Sequence, residues 1–130
     1  NKEYSGSLTA RFFEMLLRGG TLDGVRCFQE RTVRRATALG HAAEVDRMIL
    51  LPIRYSLGFM LGADRLSFYG SQSAKAFGHL GFTSVLAWAD PERDISVSLM
   101  NNGKPFISAG LLAWLNVPRT IARMFPRSSA

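Results

Sequence analysis

The sequence predicts an α+β fold, an antiparallel sheet with flanking helices and a final helix packed on the sheet. Three observations carry this. The first forty residues space apolar side chains at helical intervals. Two later runs, from Ile53 and from Ile95, alternate with a period of two. The last stretch returns to helical spacing behind Pro105.

The first helix is expected from Leu8 to Arg18, capped by Ser5 or Ser7. Its apolar stripe is Leu8, Phe12, Met15 and Leu16, widened by Phe13 and Leu17. Gly19-Gly20 ends it, because glycine takes the left-handed conformation at little cost. Asp23-Gly24 signals a turn, and Val25 to Phe28 reads as a short strand. A second helix is expected from Gln29 to Leu39, stopped by Gly40. His41 to Leu50 reads as either a helical turn or a loop.

From Ile53 the pattern suits one half-covered strand. Ile53, Tyr55, Leu57, Phe59 and Leu61 share a face, with Arg54, Ser56, Gly58 and Met60 opposite. Gly62-Ala63-Asp64 is a turn, and Ser67 to Ala76 is a loop with room for a short strand near Leu66 to Tyr69. A strand from Phe82 to Ala89 then turns at Asp90-Pro91-Glu92-Arg93-Asp94 and returns as Ile95 to Asn101. Its first arm is apolar on both faces, through Leu86 and Trp88 on one and Val85 and Ala87 on the other. That is the signature of a sheet covered from both sides. The last helix is expected from Pro105 to Leu115. Asn116 and Pro118 mark a break, a short helix follows to Phe125, and Pro126 to Ala130 forms a frayed tail.

Composition bounds the function classes. A chain of 130 residues fits one domain, 1–130, and 47% hydrophobic residues suffice for a core, which excludes a disordered chain. No apolar run is long enough to span a bilayer. The start at Asn1, with neither leader nor initiator Met, fits a chain cut from something longer. A single cysteine, Cys27, allows no internal disulfide, reads as a small buried hydrophobe and identifies no compartment. The net charge of +6 invites a nucleic-acid reading, and Arg31, Arg34 and Arg35 share a helix face. No basic run interleaves with aromatics, so a solvated helix face is the expected role and nucleic acid is not an expected partner. His41 has no second ligand at metal spacing, and no pattern calls for a metal or another cofactor. Trp88 and Trp114 read as core, and the final helix is expected to lie on the sheet rather than on a membrane.

The stretch Phe77-Gly78-His79-Leu80-Gly81-Phe82-Thr83-Ser84 carries the functional signal. It sets one basic side chain between two glycines beside a strand. Without Cβ atoms, Gly78 and Gly81 let something approach the backbone closely, and a basic group at a strand edge suits a polar or anionic substrate. The alternative for His79 is a histidine hydrogen-bonded for packing at a strand start. For Gly81 it is a kink or bulge.

Gly78 to Phe82 followed by Ala87-Trp88-Ala89-Asp90-Pro91-Glu92-Arg93 resembles the third motif of the penicillin-recognising serine hydrolases, in the branch of the class C β-lactamase-like esterases. Asn102-Gly103-Lys104-Pro105 and the run from Ala10 to Val25 are similar to the same branch, so the resemblance spans nearly the whole chain. It implies a partial β-lactamase/transpeptidase-like fold. It implies that His79 is the basic position of the motif, facing the catalytic groups of the intact enzyme. It further implies that the N–H of Phe82, just after Gly81, supplies half of an oxyanion hole. Leu80 departs from the family's usual hydroxyl residue, which tilts the expectation toward an esterase. Thr83 and Ser84 either offer hydroxyls farther along or serve only as strand formers.

The family's Ser-x-x-Lys nucleophile is not in the sequence. Ser71 and Ser73 stand four and two residues from Lys75, which is the wrong spacing. Tyr4, Tyr55 and Tyr69 lack an Asn two positions on, and there is no Gly-x-Ser-x-Gly. The expectation is therefore the C-terminal portion of a serine hydrolase, inactive alone. It would act on a small ester or amide together with the missing N-terminal portion, a second chain or a further copy of itself. The rival expectation is a non-catalytic binding or scaffold module that uses the strand edge and basic surface.

Overall fold

The computed structural model describes residues 2–40, 44–46, 51–81, 85–102 and 110–128. Helix α1 spans Lys2–Leu17, so Ser5 and Ser7 lie inside it rather than capping it. Gly19 and Gly20 end it with φ of 65° and 95°, and their N–H groups donate to Leu16 O and Met15 O at 3.0 and 2.8 Å. Phe13, Met15 and Leu16 are its buried side. Leu8 and Phe12 were expected there too, yet they are 64% and 44% exposed. Among the described side chains of the helix, Phe13, Met15, Leu16 and Leu17 are those in the core cluster.

Strands β1, Thr21–Leu22, and β2, Val25–Arg26, form a small hairpin around Asp23-Gly24, whose φ values of 50° and 80° suit its two-residue turn. Cys27 follows it and is exposed, contrary to expectation, next to β2, whose two residues are both exposed. Helix α2 spans Glu30–Thr37, shorter at both ends than the pattern suggested, and buries Val33. Past its end, the Gly40 N–H donates to Tyr55 O at 3.0 Å and ties the segment to the sheet.

Glu44–Asp46 forms strand β3, where a helical turn or loop was expected; His41 lies outside the described residues. The run from Ile53 is not one strand. It is a hairpin of β4, Leu51–Tyr55, and β5, Met60–Leu61, with Arg54 opposite Leu61 and Tyr55 opposite Met60. Ser56 closes the turn: its N–H donates to Phe59 O at 2.9 Å, and its Oγ accepts from the Phe59 N–H at 3.0 Å. Leu57 therefore sits 82% exposed at the tip, and Met60 is buried instead. Residues 62–76 form a loop without the extra strand that Leu66 to Tyr69 allowed.

Phe77–Gly81 is a strand of its own, β6, paired antiparallel with β7, Val85–Asp90. The predicted single strand from Phe82 to Ala89 is thus the second arm of a hairpin, and residues 82–84 lie outside the described residues. β7 turns through 91–94 into β8, Ile95–Met100, as expected. The sheet order is β3-β4-β5-β6-β7-β8, every pair antiparallel.

Both faces are covered, as the two-sided apolar character of β7 required. Phe77, Ala87 and Ala89 pack with Phe13 and Leu16 of α1. Leu86 and Trp88 pack on the other face with Ile53, Met60, Tyr69 and Trp114. Trp114 belongs to α3, Leu111–Met124, which runs unbroken through Pro118 where a break was predicted. Pro118 offers no N–H to the preceding turn, yet it is fully buried, and packing holds the helix together across it. The expected start at Pro105 lies outside the described residues. Among the described residues no helix is long and apolar enough to cross a membrane.

Arg93 ties these layers together. Its guanidinium pairs with Asp90 at 2.6 Å, both side chains buried, and donates to Gln72 O at 2.9 Å, Ser71 O at 3.0 Å and Ala122 O at 3.3 Å. One cation thus joins the β7–β8 turn, the 62–76 loop and α3. The tail is not frayed through residue 128. The Ser128 N–H donates to Glu92 O at 2.8 Å, and Arg127 lies 3.8 Å from the Glu92 carboxylate.

Candidate active-site strand

Strand β6 separates the roles of its two glycines. A Cβ on Gly78 would lie 2.2 Å from Ala87 O and 2.5 Å from Trp88 Cβ, so this glycine exists to let β7 close in. A Cβ on Gly81 would meet nothing closer than Val85 O at 3.5 Å, an ordinary contact. Internal packing among the described residues does not require a glycine at position 81.

His79 pairs with Ala87 across the ladder and follows Phe77 by two residues, so its side chain emerges on the α1 face. It is exposed, beyond the apolar cover that α1 provides. Leu80 points the other way and is half-buried against the cluster under α3, so it shares no face with His79. Phe82, Thr83 and Ser84 lie outside the described residues.

The edge of β6 is partly open. β5 pairs only with Phe77 and Gly78. Beyond them the Leu80 N–H points to the β5 side and donates to Met60 Sδ at 3.4 Å, a weak acceptor. Among the described residues no strand pairs with His79 to Gly81 on that side. A strand end with one free side is the geometry that accepts an extended substrate or peptide.

Three of the groups weighed as nucleophile or base are committed elsewhere. Ser73 is buried, with Oγ within 3.1 to 3.4 Å of the carbonyls of Tyr69, Gly70 and Ser71. Lys75 is exposed and faces Glu92 at 3.5 Å. Tyr69 stacks on Trp88 at 5.7 Å and donates its hydroxyl to Met60 O at 2.9 Å. Burial, with a smaller contribution from Tyr55, pushes the Tyr69 phenol far above its ordinary pKa. These three side chains hold the 62–76 loop in place. No group of three metal-ligating side chains occurs among the described residues. Two cavities, one between β4 and α3 and one between α1 and α2, are not lined by His79, which stands on open surface. Sequence reasoning missed the Arg93 junction. Its one signal was an Asp-Pro-Glu-Arg-Asp turn, which speaks of a turn and not of a buried cation.

Comparison with known proteins agrees with this architecture. No protein-family model matches the chain. The esterase/β-lactamase LipL of Mycobacterium tuberculosis is 27% identical over 96 residues, which are 72% of this chain and 20% of LipL. A penicillin-binding protein homologue from Caulobacter crescentus superposes with a TM-score of 0.64 at 33% identity, over 76% of this chain and 27% of its own. The chain is similar to β-lactamase-related serine hydrolases over part of their length. A family VIII carboxylesterase shares the fold, with a TM-score of 0.65 at 23% identity over 87% of this chain and 30% of its own. The chain thus spans about a fifth to a third of the length of these β-lactamase-related relatives. The α+β fold expected from the sequence, with its C-terminal helix on the sheet, is the fold found.

Proposed function

We propose that this chain forms one wall of the reaction site of a serine hydrolase that cleaves carboxyl esters, or amides such as β-lactams, with the nucleophile supplied by a further portion of the protein or by a second chain. In this reading a serine hydroxyl adds to the substrate carbonyl, and the alcohol or amine departs with a proton. The resulting acyl-enzyme is then hydrolysed by water to the free acid. The Phe82 N–H donates to the oxyanion of each tetrahedral intermediate, and Gly81 leaves the room for the acyl group to approach. His79 helps to hold the acyl group's anionic portion or shapes the proton network.

The observation that carries this reading is the exposed imidazole of His79 on the same strand as Gly81, whose missing side chain packing does not demand. Two further features support it. LipL is named for esterase and β-lactamase activity. The exposed Leu8, Phe12, Val25 and Phe28 offer apolar surface on which a missing portion or second copy would rest. Alone, the chain is expected not to turn over.

The test mixes this chain with a polypeptide that carries the Ser-x-x-Lys portion and follows hydrolysis of a short-chain nitrophenyl ester. His79→Ala is expected to lower the rate by about a hundredfold with unchanged folding. Equal rates for His79→Ala and parent would remove the assigned role. The second reading, a binding module, draws on the open side of β6 beyond Gly78. It prevails if the coding sequence holds no Ser-x-x-Lys upstream of Asn1.

A further inference from the structure

A cavity of about 470 Å³ opens on the α3 face of the sheet, between β4, the 62–76 loop and α3. Three arginines of this face line it: Arg65 from the loop, and Arg119 and Arg123 one turn apart on α3. Arg54 borders it from β4, but it pairs with Leu61 and its side chain leaves the strand on the opposite face. Ile53 and Leu115 supply apolar wall between them.

The charge of this hollow is unbalanced. Elsewhere Arg11, Arg18, Arg34, Arg93 and Arg127 each face a carboxylate. None of Arg65, Arg119 and Arg123 does so among the described residues, and the same holds for Arg26, Arg31 and Arg35 outside the hollow. Arg119 donates to Asn116 Oδ1 at 3.4 Å, a neutral acceptor. Arg65, Arg119 and Arg123 are exposed around this hollow; like charges so gathered repel one another, and a bound anion relieves that repulsion. The planar guanidinium fork matches carboxylate and phosphate oxygens. The size falls within the range of small-molecule sites, about 300–1,000 Å³.

We propose that this cleft binds a small amphiphilic oxyanion, its carboxylate or phosphate head held among the arginines and its aliphatic body against Ile53 and Leu115. A concave pocket favours a free molecule over a flat lipid surface. The cleft lies on the face of the sheet opposite His79, so it is separate from the proposed reaction site.

The test uses the full chain with octanoate and octyl phosphate as probes, followed by titration calorimetry and thermal unfolding. At least one probe is expected to bind with saturation at one site and to raise the melting temperature, whereas octanol and octylammonium do neither. The paired substitution Arg119→Gln/Arg123→Gln is expected to weaken binding by about tenfold or more, with circular dichroism unchanged. Should that pair perturb α3, Arg65→Gln in the loop reads the same site. Arg31→Gln/Arg35→Gln on α2 removes the same charge and is expected to leave binding as it was. The proposal is overturned if neither probe saturates, or if octanol binds as tightly as octanoate. It is equally overturned if the α2 pair weakens binding as much as the α3 pair, or if the chain binds anionic vesicles but neither monomeric probe.

Discussion

Replacing Gly78 with alanine drives a methyl group into the neighbouring strand. The new Cβ would lie 2.2 Å from Ala87 O and 2.5 Å from Trp88 Cβ, where ordinary contacts begin at 3.4 Å. β6 and β7 would have to part by 3.4 − 2.2, about 1.2 Å. Neither neighbour yields easily: the carbonyl belongs to the ladder, and Trp88 is fully buried and stacked on Tyr69. Overpacking costs about 1–3 kcal/mol, and a clash with backbone belongs at the upper end. For a chain of this size, about 3 kcal/mol lowers the melting temperature by about 10 °C. Gly81→Ala makes the opposite prediction. Its Cβ would sit 3.5 Å from Val85 O and 3.7 Å from Val85 Cβ, so stability should change by no more than about 0.5 kcal/mol. Thermal unfolding of parent, Gly78→Ala and Gly81→Ala, followed by circular dichroism, makes the comparison. If the two variants melt together, at either temperature, the division between a packing glycine and a site glycine is wrong.

Two more perturbations probe the framework. Arg93→Met removes the buried pair with Asp90 and three carbonyl contacts, leaving an uncompensated buried carboxylate. Urea unfolding should show a loss of about 3–5 kcal/mol, partly recovered in Asp90→Asn/Arg93→Met, and a loss below about 1 kcal/mol would contradict the junction described here. Tyr69 has its pKa raised in the folded state, so the folded protein keeps this proton after the unfolded chain has begun to release it. The sign follows from linkage: stability is level below the ordinary tyrosine value of 10.0 and falls as pH rises beyond it. Tyr69→Phe should lower stability by about 1 kcal/mol at pH 8 through the lost bond to Met60 O, and should flatten the decline between pH 9 and 11. An equally steep decline in the variant would assign the pH dependence to other groups.

Much of the architecture was legible because local signals agreed with it. The Gly19-Gly20 stop, the Asp23-Gly24 turn and the 91–94 turn each act within a few residues, and each appears in the fold. The two-faced apolar run of β7 correctly announced helices on both sides of the sheet. Failures came where a period continued across a change of element. Alternation from Ile53 to Leu61 runs without interruption through the Ser56–Phe59 turn, so it could not reveal that the chain doubles back. Pro118 breaks an isolated helix, but here burial against the loop outweighs the missing hydrogen bond. Leu8 and Phe12 carry the right spacing for a core stripe, yet exposure depends on what lies opposite, and among the described side chains of α1 the core cluster takes Phe13, Met15, Leu16 and Leu17.

For the candidate site, residue identity was readable and the surroundings were not. The order Gly-His-Leu-Gly and its spacing to the following turn were enough to point to a strand bearing an accessible basic group. Spacing along a chain is itself geometry once the backbone is extended, and alternation then sends His79 and Leu80 to opposite faces. Which glycine faces a neighbour and which faces open space depends on how closely β7 approaches, a distance between segments ten residues apart in the chain. The gathering of Arg65, Arg119 and Arg123 around one hollow was likewise decided by tertiary packing. Arg119 and Arg123 share a helix face through their spacing, but only the seating of α3 on the sheet brings them to Arg65.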